Sequence, residues 1–360
     1  MSATTMSYQE VKIINITAPI NTLGYGIASY NIIKNLSAMG EKVSYFPIGN
    51  PEPPEEQSFL NRMMFQPASL QAPSVKIWHQ NDIHHHVGKG IHVGFPIFEL
   101  DRFSQQEVWS MSHNDRIFVC SEWARSVVKR ALDIDTMVVP LGVDTDTFKP
   151  HESKRPATVF FNCGKWEVRK GHDVLVKCFN DAFDHSDNVE LWMMCENPFY
   201  NEQQQKEWIN LYKESKLGDK IRIIPRQKTH QDVYNVMKQT DCGVFPARAE
   251  GWNLELLEMM ACGKQVIATN YSAHTEFCNS SNSMLVDVNS TELANDGFWF
   301  KGQGMWASLD SDSLDQIVSH MRVVYNEKQQ GLSHQNIDGI QTSREFSWEN
   351  SAKSFLCGLK

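Results

Sequence analysis

The sequence predicts an α/β chain built from two Rossmann-like units whose parallel sheets face a central cleft. Three observations carry this. Short apolar, β-branched runs alternate with helix-spaced segments along most of the chain, as expected of parallel sheets covered by helices on both faces. The alternation stops at a polar break over residues 148–156 and then restarts. At 360 residues the chain has about twice the length of a typical domain.

The elements follow in order. Residues 11–16 are a β-branched run and the expected first strand, followed by a turn at Gly24 and Gly26. Ile27, Ile32, Ile33 and Leu36 stand at helical spacing over 27–39, and Gly40 closes that helix. Strands are expected at 42–47, 75–79, 91–95, 116–120 and 136–139, with Ser121 placed to cap a helix over 122–132. Residues 51–56, rich in proline and glutamate, read as a solvated loop. After the break come strands at 158–162, 189–195, 221–225, 242–246 and 265–269, and helices at 173–183, 230–239 and 253–261. The expected division is 1–150 and 151–345, with 346–360 as a closing helix.

Composition narrows the class. A hydrophobic share of 41% and a charged share of 21% argue against disordered and fibrous chains. With 34 Lys+Arg against 43 Asp+Glu the formal charge is −9, which counts against a protein held on nucleic acid by phosphate neutralisation. No stretch approaches the roughly 18–20 apolar residues that span a bilayer, so no integral membrane segment is expected. Residues 1–10 are polar, without a basic-then-apolar leader. The eight cysteines form no Cys-x-x-Cys pair, and Cys120 and Cys163 stand in apolar runs that suit buried free thiols. The expectation is a reduced, cytoplasmic protein.

Ligands on open parallel sheets bind beyond the carboxyl ends of the strands, so the loops there are the candidates. Gly24-Tyr25-Gly26 precedes a helix whose N-terminus favours an anion. A nicotinamide-cofactor loop would carry a third glycine and an acidic residue after the next strand; both are missing, and a plain glycine turn is the competing reading. Residues 164–171, Gly-Lys-Trp-Glu-Val-Arg-Lys-Gly, put Lys165, Arg169 and Lys170 in one loop. Such cations suit a diphosphate, although charge runs also occur on solvated loops. The segment from Pro246 carries Glu250, Gly251, Trp252, Asn253 and Leu254, with Glu258 inside the following helix. Two carboxylates so placed can bracket a ligand across a helix N-terminus, while the free amides of 251–254 address phosphate. His79 ends a predicted strand and so faces the cleft, with a structural histidine as the alternative. Three adjacent histidines, His84, His85 and His86, cannot all converge on one ion, so no metal site is expected.

In order along the chain, several segments resemble a family 4 retaining glycosyltransferase of the GT-B fold, of the glycosyl transferases group 1. They are the glycine pair at 24 and 26, Phe-Pro-Ile-Phe-Glu at 95–99, Cys-Ser-Glu-Trp at 120–123, and Val-Val-Pro-Leu-Gly-Val-Asp at 138–144. Residues 164–171, the Glu-x7-Glu segment with its Met-Ala-Cys-Gly tail at 250–263, and Phe-Ser-Trp-Glu at 346–349 complete the match. The resemblance implies that 1–150 binds the acceptor, that 151–345 binds the nucleotide sugar, and that 346–360 crosses back to the first domain. It implies that Glu250 contacts the donor sugar and Glu258 the ribose. It further implies that Lys165 and Lys170 grip the diphosphate and that His79 assists catalysis beside the sugar. Gly24, Gly26, Gly251, Trp252, Asn253 and Leu254 complete the implied donor site. Lys165 stands where the family usually has arginine, a role Arg169 can supply, and Asn253 stands where it usually has glycine. The implied activity is metal-independent transfer of a hexose from a UDP- or GDP-sugar to a hydroxyl, with retention. The only small-molecule partner is then the nucleoside-diphosphate sugar, a co-substrate rather than a bound cofactor. The acceptor could be a glycan, a lipid-linked sugar, a protein or a modified nucleic acid. A sugar-nucleotide epimerase of the same fold and a non-catalytic sugar-nucleotide-binding protein remain the alternatives.

Overall fold

The computed structural model describes residues 13–52 and 57–360. The polar segment 1–10, the start of the first expected strand at 11–12 and part of the loop expected at 51–56 lie outside the described residues.

The first unit is built on six parallel strands: β1 (Ile13–Ala18), β2 (Lys42–Pro47), β3 (Ser74–Ile77), β4 (His92–Phe95), β5 (Arg116–Val119) and β6 (Asp135–Val138). Their spatial order is β2-β1-β3-β4-β5-β6. Ile14, Ile16 and Ala18 are all buried, and so is Asn15 between them, because a central parallel strand is covered on both faces. Helices α1 (Gly24–Ala38), α2 (Gln57–Met64), α3 (Gln105–Ser112) and α4 (Glu122–Ala131) connect these strands. Ser121 caps α4 by accepting the Ala124 amide at 3.1 Å.

The second unit repeats the architecture with β7 (Thr158–Gly164), β8 (Val189–Cys195), β9 (Ile221–Ile223), β10 (Cys242–Phe245), β11 (Gln265–Thr269) and β12 (Met284–Val286). Its order is β12-β11-β10-β7-β8-β9, again parallel throughout. The order reverses between β7 and β10, the place where open α/β sheets bind ligands. Helices α5 (His172–Ala182), α6 (Glu202–Lys213), α7 (His230–Met237) and α8 (Leu254–Ala261) connect the strands. Met237 of α7 and Leu256 and Leu257 of α8 belong to one core. Leu175 and Phe179 of α5 belong to the core on the other face. An antiparallel hairpin, β13 (Thr291–Asn295) and β14 (Lys301–Ala307), follows β12. Helices α9 (Ser311–Gln329), α10 (Ile337–Glu345) and α11 (Trp348–Cys357) end the chain.

Three expectations are corrected. Gly24 and Gly26 do not form a turn before the helix: α1 starts at Gly24, so both lie in its first turn. The first strand ends at Ala18, two residues beyond the expected limit, because Thr17 and Ala18 continue the ladder to Phe46 and Pro47. Of the two cysteines expected to be buried, Cys120 is and Cys163 is only half-buried; all eight are free thiols. Among the described residues, no helix is long and apolar enough to cross a membrane.

The chain returns to the first unit at its end. The Val143 amide donates to the Phe346 carbonyl at 3.0 Å, so the 138–144 and 346–349 segments meet. Ser347 caps α11, and Phe355 of that helix packs edge-on to Phe118 of β5 with ring centroids 5.4 Å apart.

Candidate active site

The loops after β7 and β10 are locked together at the switch point. A Cβ on Gly171 would stand 2.0 Å from the Pro246 carbonyl oxygen, and Gly171 has φ +73°, so only glycine lets the two loops touch. Between them lies a buried ionic cluster. Lys170 Nζ donates to Glu250 Oε1 at 2.8 Å, and Arg169 donates to Glu250 Oε2 at 2.7 Å. Arg169 also holds Glu167 Oε2 at 2.7 Å, while Lys165 Nζ lies 2.7 Å from Glu167 Oε1. Glu167, Arg169, Lys170 and Glu250 are buried, and Lys165 is the most open member. Three cations face two buried carboxylates in this cluster, with a third carboxylate, Glu99, beside it. Burial pushes the Glu250 pKa up, but Arg169 and Lys170 outweigh it and hold the carboxyl well below the usual range. Glu99 of the first unit comes within 3.9 Å of Arg169; burial raises its pKa against the pull of Arg169.

Behind the cluster, His172 accepts the Glu167 amide on Nδ1 at 3.2 Å and donates from Nε2 to Asn162 Oδ1 at 2.9 Å. The bonds fix the neutral tautomer. Burial, aided by Lys170, lowers the His172 pKa to about 3.

The start of α8 is set by Asn253, at φ 89°. Its Oδ1 caps the Leu256 amide at 3.2 Å and its Nδ2 donates to His274 Nε2 at 2.9 Å. The amides of Leu254 and Glu255 have no partner among the described residues. Glu258 is buried, yet no hydrogen bond or ion pair engages its carboxylate among the described residues. Burial raises its pKa well above the usual range, and the like charges of Glu255 and Asp144 add to that. Trp252 turns away from the cleft into the core, packed on Phe277 and Phe346 at 4.9 and 5.7 Å.

The first unit closes the cleft. A Cβ on Gly251 would stand 2.7 Å from Ile97 Cγ2 and 3.1 Å from the Phe98 carbonyl oxygen, so the loop after β10 abuts the 95–99 segment. Tyr25, between the two glycines, hydrogen-bonds both the amide and the carbonyl of Ile97 at 2.8 Å. Its ring packs against His79 at 4.8 Å, which brings the glycine segment and His79 together. Gly26 is required by sterics, since a Cβ there would stand 2.3 Å from the Asn21 nitrogen, whereas nothing lies within 4 Å of one on Gly24. The His79 ring meets solvent but lies within the cleft; its partial burial and the nearby Lys165 cation lower its pKa.

Lys165, Arg169, Lys170 and Glu250 therefore form one cluster, with His79 facing it from the first unit and Glu258 set apart and unpaired on α8. Sequence reasoning assigned no role to Glu167, His172, Tyr25 or Glu99, nor to Arg226, which donates to the Thr22 hydroxyl oxygen across the cleft at 2.7 Å. Glu167, Tyr25 and Glu99 stood inside the quoted motifs, which was the available signal. The histidine triplet divides: His86 bonds Asn114 at 2.8 Å, while His84 and His85 lie with Asp82 in a group whose potential ligand atoms fall within 4.8 Å of one another. Asp82 there is paired with Lys76 at 3.1 Å.

Comparison with known proteins agrees with this architecture. Residues 157–296 match the family model described as Glycosyl transferases group 1. The GDP-mannose-dependent alpha-(1-6)-phosphatidylinositol dimannoside mannosyltransferase of Mycobacterium tuberculosis is 23% identical over 189 residues, covering 50% of this chain and 47% of that protein. A putative glycosyltransferase 45 of Sulfolobus islandicus filamentous virus is 21% identical over 211 residues, covering 56% of this chain and 55% of that one. The chain spans about half the length of the curated relatives it matches. Among solved structures, a glycosyltransferase from Rickettsia africae superposes with TM-score 0.71 at 14% identity, covering 98% of each chain. Sucrose-phosphate synthase from Thermosynechococcus elongatus gives 0.69 at 13% identity, over 96% of this chain and 98% of that one. Anabaena HepE, in complex with UDP and glucose, gives 0.68 at 12% identity, over 97% and 99%. The chain has the fold of the GT-B glycosyltransferases, and residues 157–296 of its second unit match the glycosyl transferases group 1 family.

Proposed function

We propose that the protein transfers a hexose from a UDP- or GDP-sugar to an acceptor hydroxyl, with the anomeric configuration retained and without a metal ion. The observation that carries this reading is the cationic cluster of Lys165, Arg169 and Lys170 at the β7/β10 switch point, with the first unit closing over it. Charge developing on the leaving diphosphate would be met by Lys165, by Lys170 and by the free amides opening α8. These supply the electrostatic stabilisation that a divalent ion provides elsewhere. The Glu258 carboxylate, buried and unpaired, would accept the ribose hydroxyls and thereby gain the hydrogen bonds it lacks.

Glu250 has both oxygens held by cations, so it is poorly suited to act as a base. It would present Lys170 to the phosphate and its own edge to the sugar. The acceptor proton would then pass to a diphosphate oxygen as the C1–O bond to phosphate breaks and the bond to the acceptor forms on the same face, which retains configuration. His79, neutral because of its lowered pKa, would line the sugar from the first unit. In this reading the second unit holds the donor and the first presents the acceptor. The eight free thiols fit a reducing compartment, the cytoplasm.

The test is nucleotide release from UDP- and GDP-hexoses, with thermal-shift titration of UDP and GDP. Lys170→Ala is expected to lower turnover by about a hundredfold or more. Glu258→Gln is expected to weaken nucleotide binding by about tenfold without loss of melting temperature, because it removes a buried carboxyl that has no partner. Failure of every sugar nucleotide to turn over, or full activity in Lys170→Ala, would overturn the proposal.

A further inference from the structure

We propose that Asp82, His84 and His85 form a site on the first unit for a divalent cation of the zinc type. The site is separate from the transfer chemistry above and does not rest on it. Three adjacent histidines cannot meet at one ion, and the structure does not bring them to one. His86 leaves the group: its Nδ1 pairs with Ser74 Oγ at 3.2 Å and its Nε2 with Asn114 Oδ1 at 2.8 Å. Asp82 takes the third place instead. One ligand atom from each of Asp82, His84 and His85 lies within 4.8 Å of the others.

The path of the chain explains the grouping. Residues 80–82 form a single 3-10 turn after β3, closed by the Asp82 amide on the His79 carbonyl at 3.0 Å. From His79 in the cleft the chain then runs back to His86, which stands beside Ser74, the first residue of β3. The group therefore sits between the cleft and the amino end of that strand, outside the ionic cluster.

Each side chain is oriented and keeps a ligand atom free. Lys76, itself buried, holds Asp82 Oδ1 at 3.1 Å and leaves Oδ2. Ser110 Oγ accepts the Ile83 amide at 3.0 Å and pairs with His84 Nδ1 at 3.0 Å. The His84 ring also packs edge-on to Trp109, with centroids 4.7 Å apart. In the tautomer that donates from Nδ1, Nε2 keeps its lone pair, and an outer bond of this kind orients a metal-bound histidine. His85 is exposed and makes no hydrogen bond among the described residues; its ring lies beside that of His84, with centroids 3.9 Å apart.

The donor set selects the ion. Two imidazole nitrogens and one carboxylate oxygen suit zinc, cobalt or nickel, whereas magnesium and calcium take oxygen ligands. Ligand atoms around a tetrahedral zinc stand about 3.4 Å apart, so a spread of up to 4.8 Å closes by rotation of the exposed His85 ring. Water fills the fourth position. The Lys76 charge offsets that of Asp82, which sets the expected Kd in the micromolar range, about 1–10 µM.

The experiment titrates Zn²⁺ by calorimetry into the full chain after EDTA treatment and dialysis. It compares wild type with His85→Ala, the double variant His84→Ala/His85→Ala, Asp82→Asn and Cys357→Ser, the last because Cys357 is an exposed thiol. One ion per chain is expected. Affinity should fall by about tenfold or more in each variant of the site and hold in Cys357→Ser. Co²⁺ in place of Zn²⁺ should give a visible spectrum without thiolate charge-transfer bands. His85 is exposed, so its replacement keeps the fold, which circular dichroism verifies. The proposal is overturned if wild type binds no Zn²⁺ at about 100 µM, or if His85→Ala and the double variant bind as wild type does. It is equally overturned if Cys357→Ser abolishes binding or if the Co²⁺ spectrum shows thiolate ligation.

Discussion

His172 connects local chemistry to a measurable pH response. It is fully buried and neutral, holding Glu167 and Asn162 in place behind the ionic cluster. Its folded pKa of about 3 lies below the usual histidine value, so between those two values the unfolded chain binds a proton that the folded chain refuses. Stability from this group is present above the unfolded pKa and falls as pH falls towards the folded one. At about 1.4 kcal/mol per pH unit, wild type should lose about 2 kcal/mol through His172 between about pH 6.5 and pH 5. His172→Asn should lose less over the same window although it is less stable at neutral pH. Guanidinium midpoints measured at several pH values give the two slopes, and equal slopes would remove His172 as the source. The residue itself was invisible in the sequence reading. Lys165, Arg169 and Lys170 were legible as one cationic cluster because the three cations stand together in a single loop. The groups that position them, Glu167 and His172, declare nothing until burial and geometry give them a role.

At the level of the element, legibility followed periodicity. The strands beside each switch point and helices α1, α4, α5, α7 and α8 could be read, because parallel strands buried on both faces are continuous apolar runs. Helices α2, α3, α6, α9 and α10, strand β12 and the β13–β14 hairpin went unread. Only Phe59 and Leu60 of α2 and Tyr212 of α6 are buried, too few to set a period, and the hairpin is largely exposed. Asn253 was legible as standing where the resembled family usually has glycine, and the structure adds that it takes φ 89°, caps α8 and bonds His274. This separates two substitutions. Asn253→Gly loses the cap and the His274 bond but accepts φ 89° freely, whereas Asn253→Ala loses both and is strained as well. Alanine is therefore expected to be the less stable by about 1–2 kcal/mol, read from denaturation midpoints. A glycine variant equal to or below alanine would mean that backbone strain does not govern the start of α8.

Across the whole molecule, the two units are bound by more than a linker. Arg226 reaches Thr22, Glu276 accepts the Glu122 amide at 2.7 Å where α4 begins, and α11 leaves the second unit to complete the core of the first. Phe355 is wholly buried there, and a Cβ on Gly358 would stand 2.6 Å from the Phe118 ring, so the end of α11 fits β5 closely. Removing the ring in Phe355→Ala should cost about 3–5 kcal/mol, and that cost falls on the first unit although α11 follows the second in the chain. With α11 in place, a nucleotide bound at the β7/β10 switch point stabilises both units together, because unfolding either one strips shared core from the other. In Phe355→Ala the calorimetric transition should divide, and UDP or GDP, whichever stabilises wild type, should raise only the upper, second-unit step. A single transition that still moves as a whole with nucleotide would show that the contacts of Arg226 and Glu276 couple the units without α11.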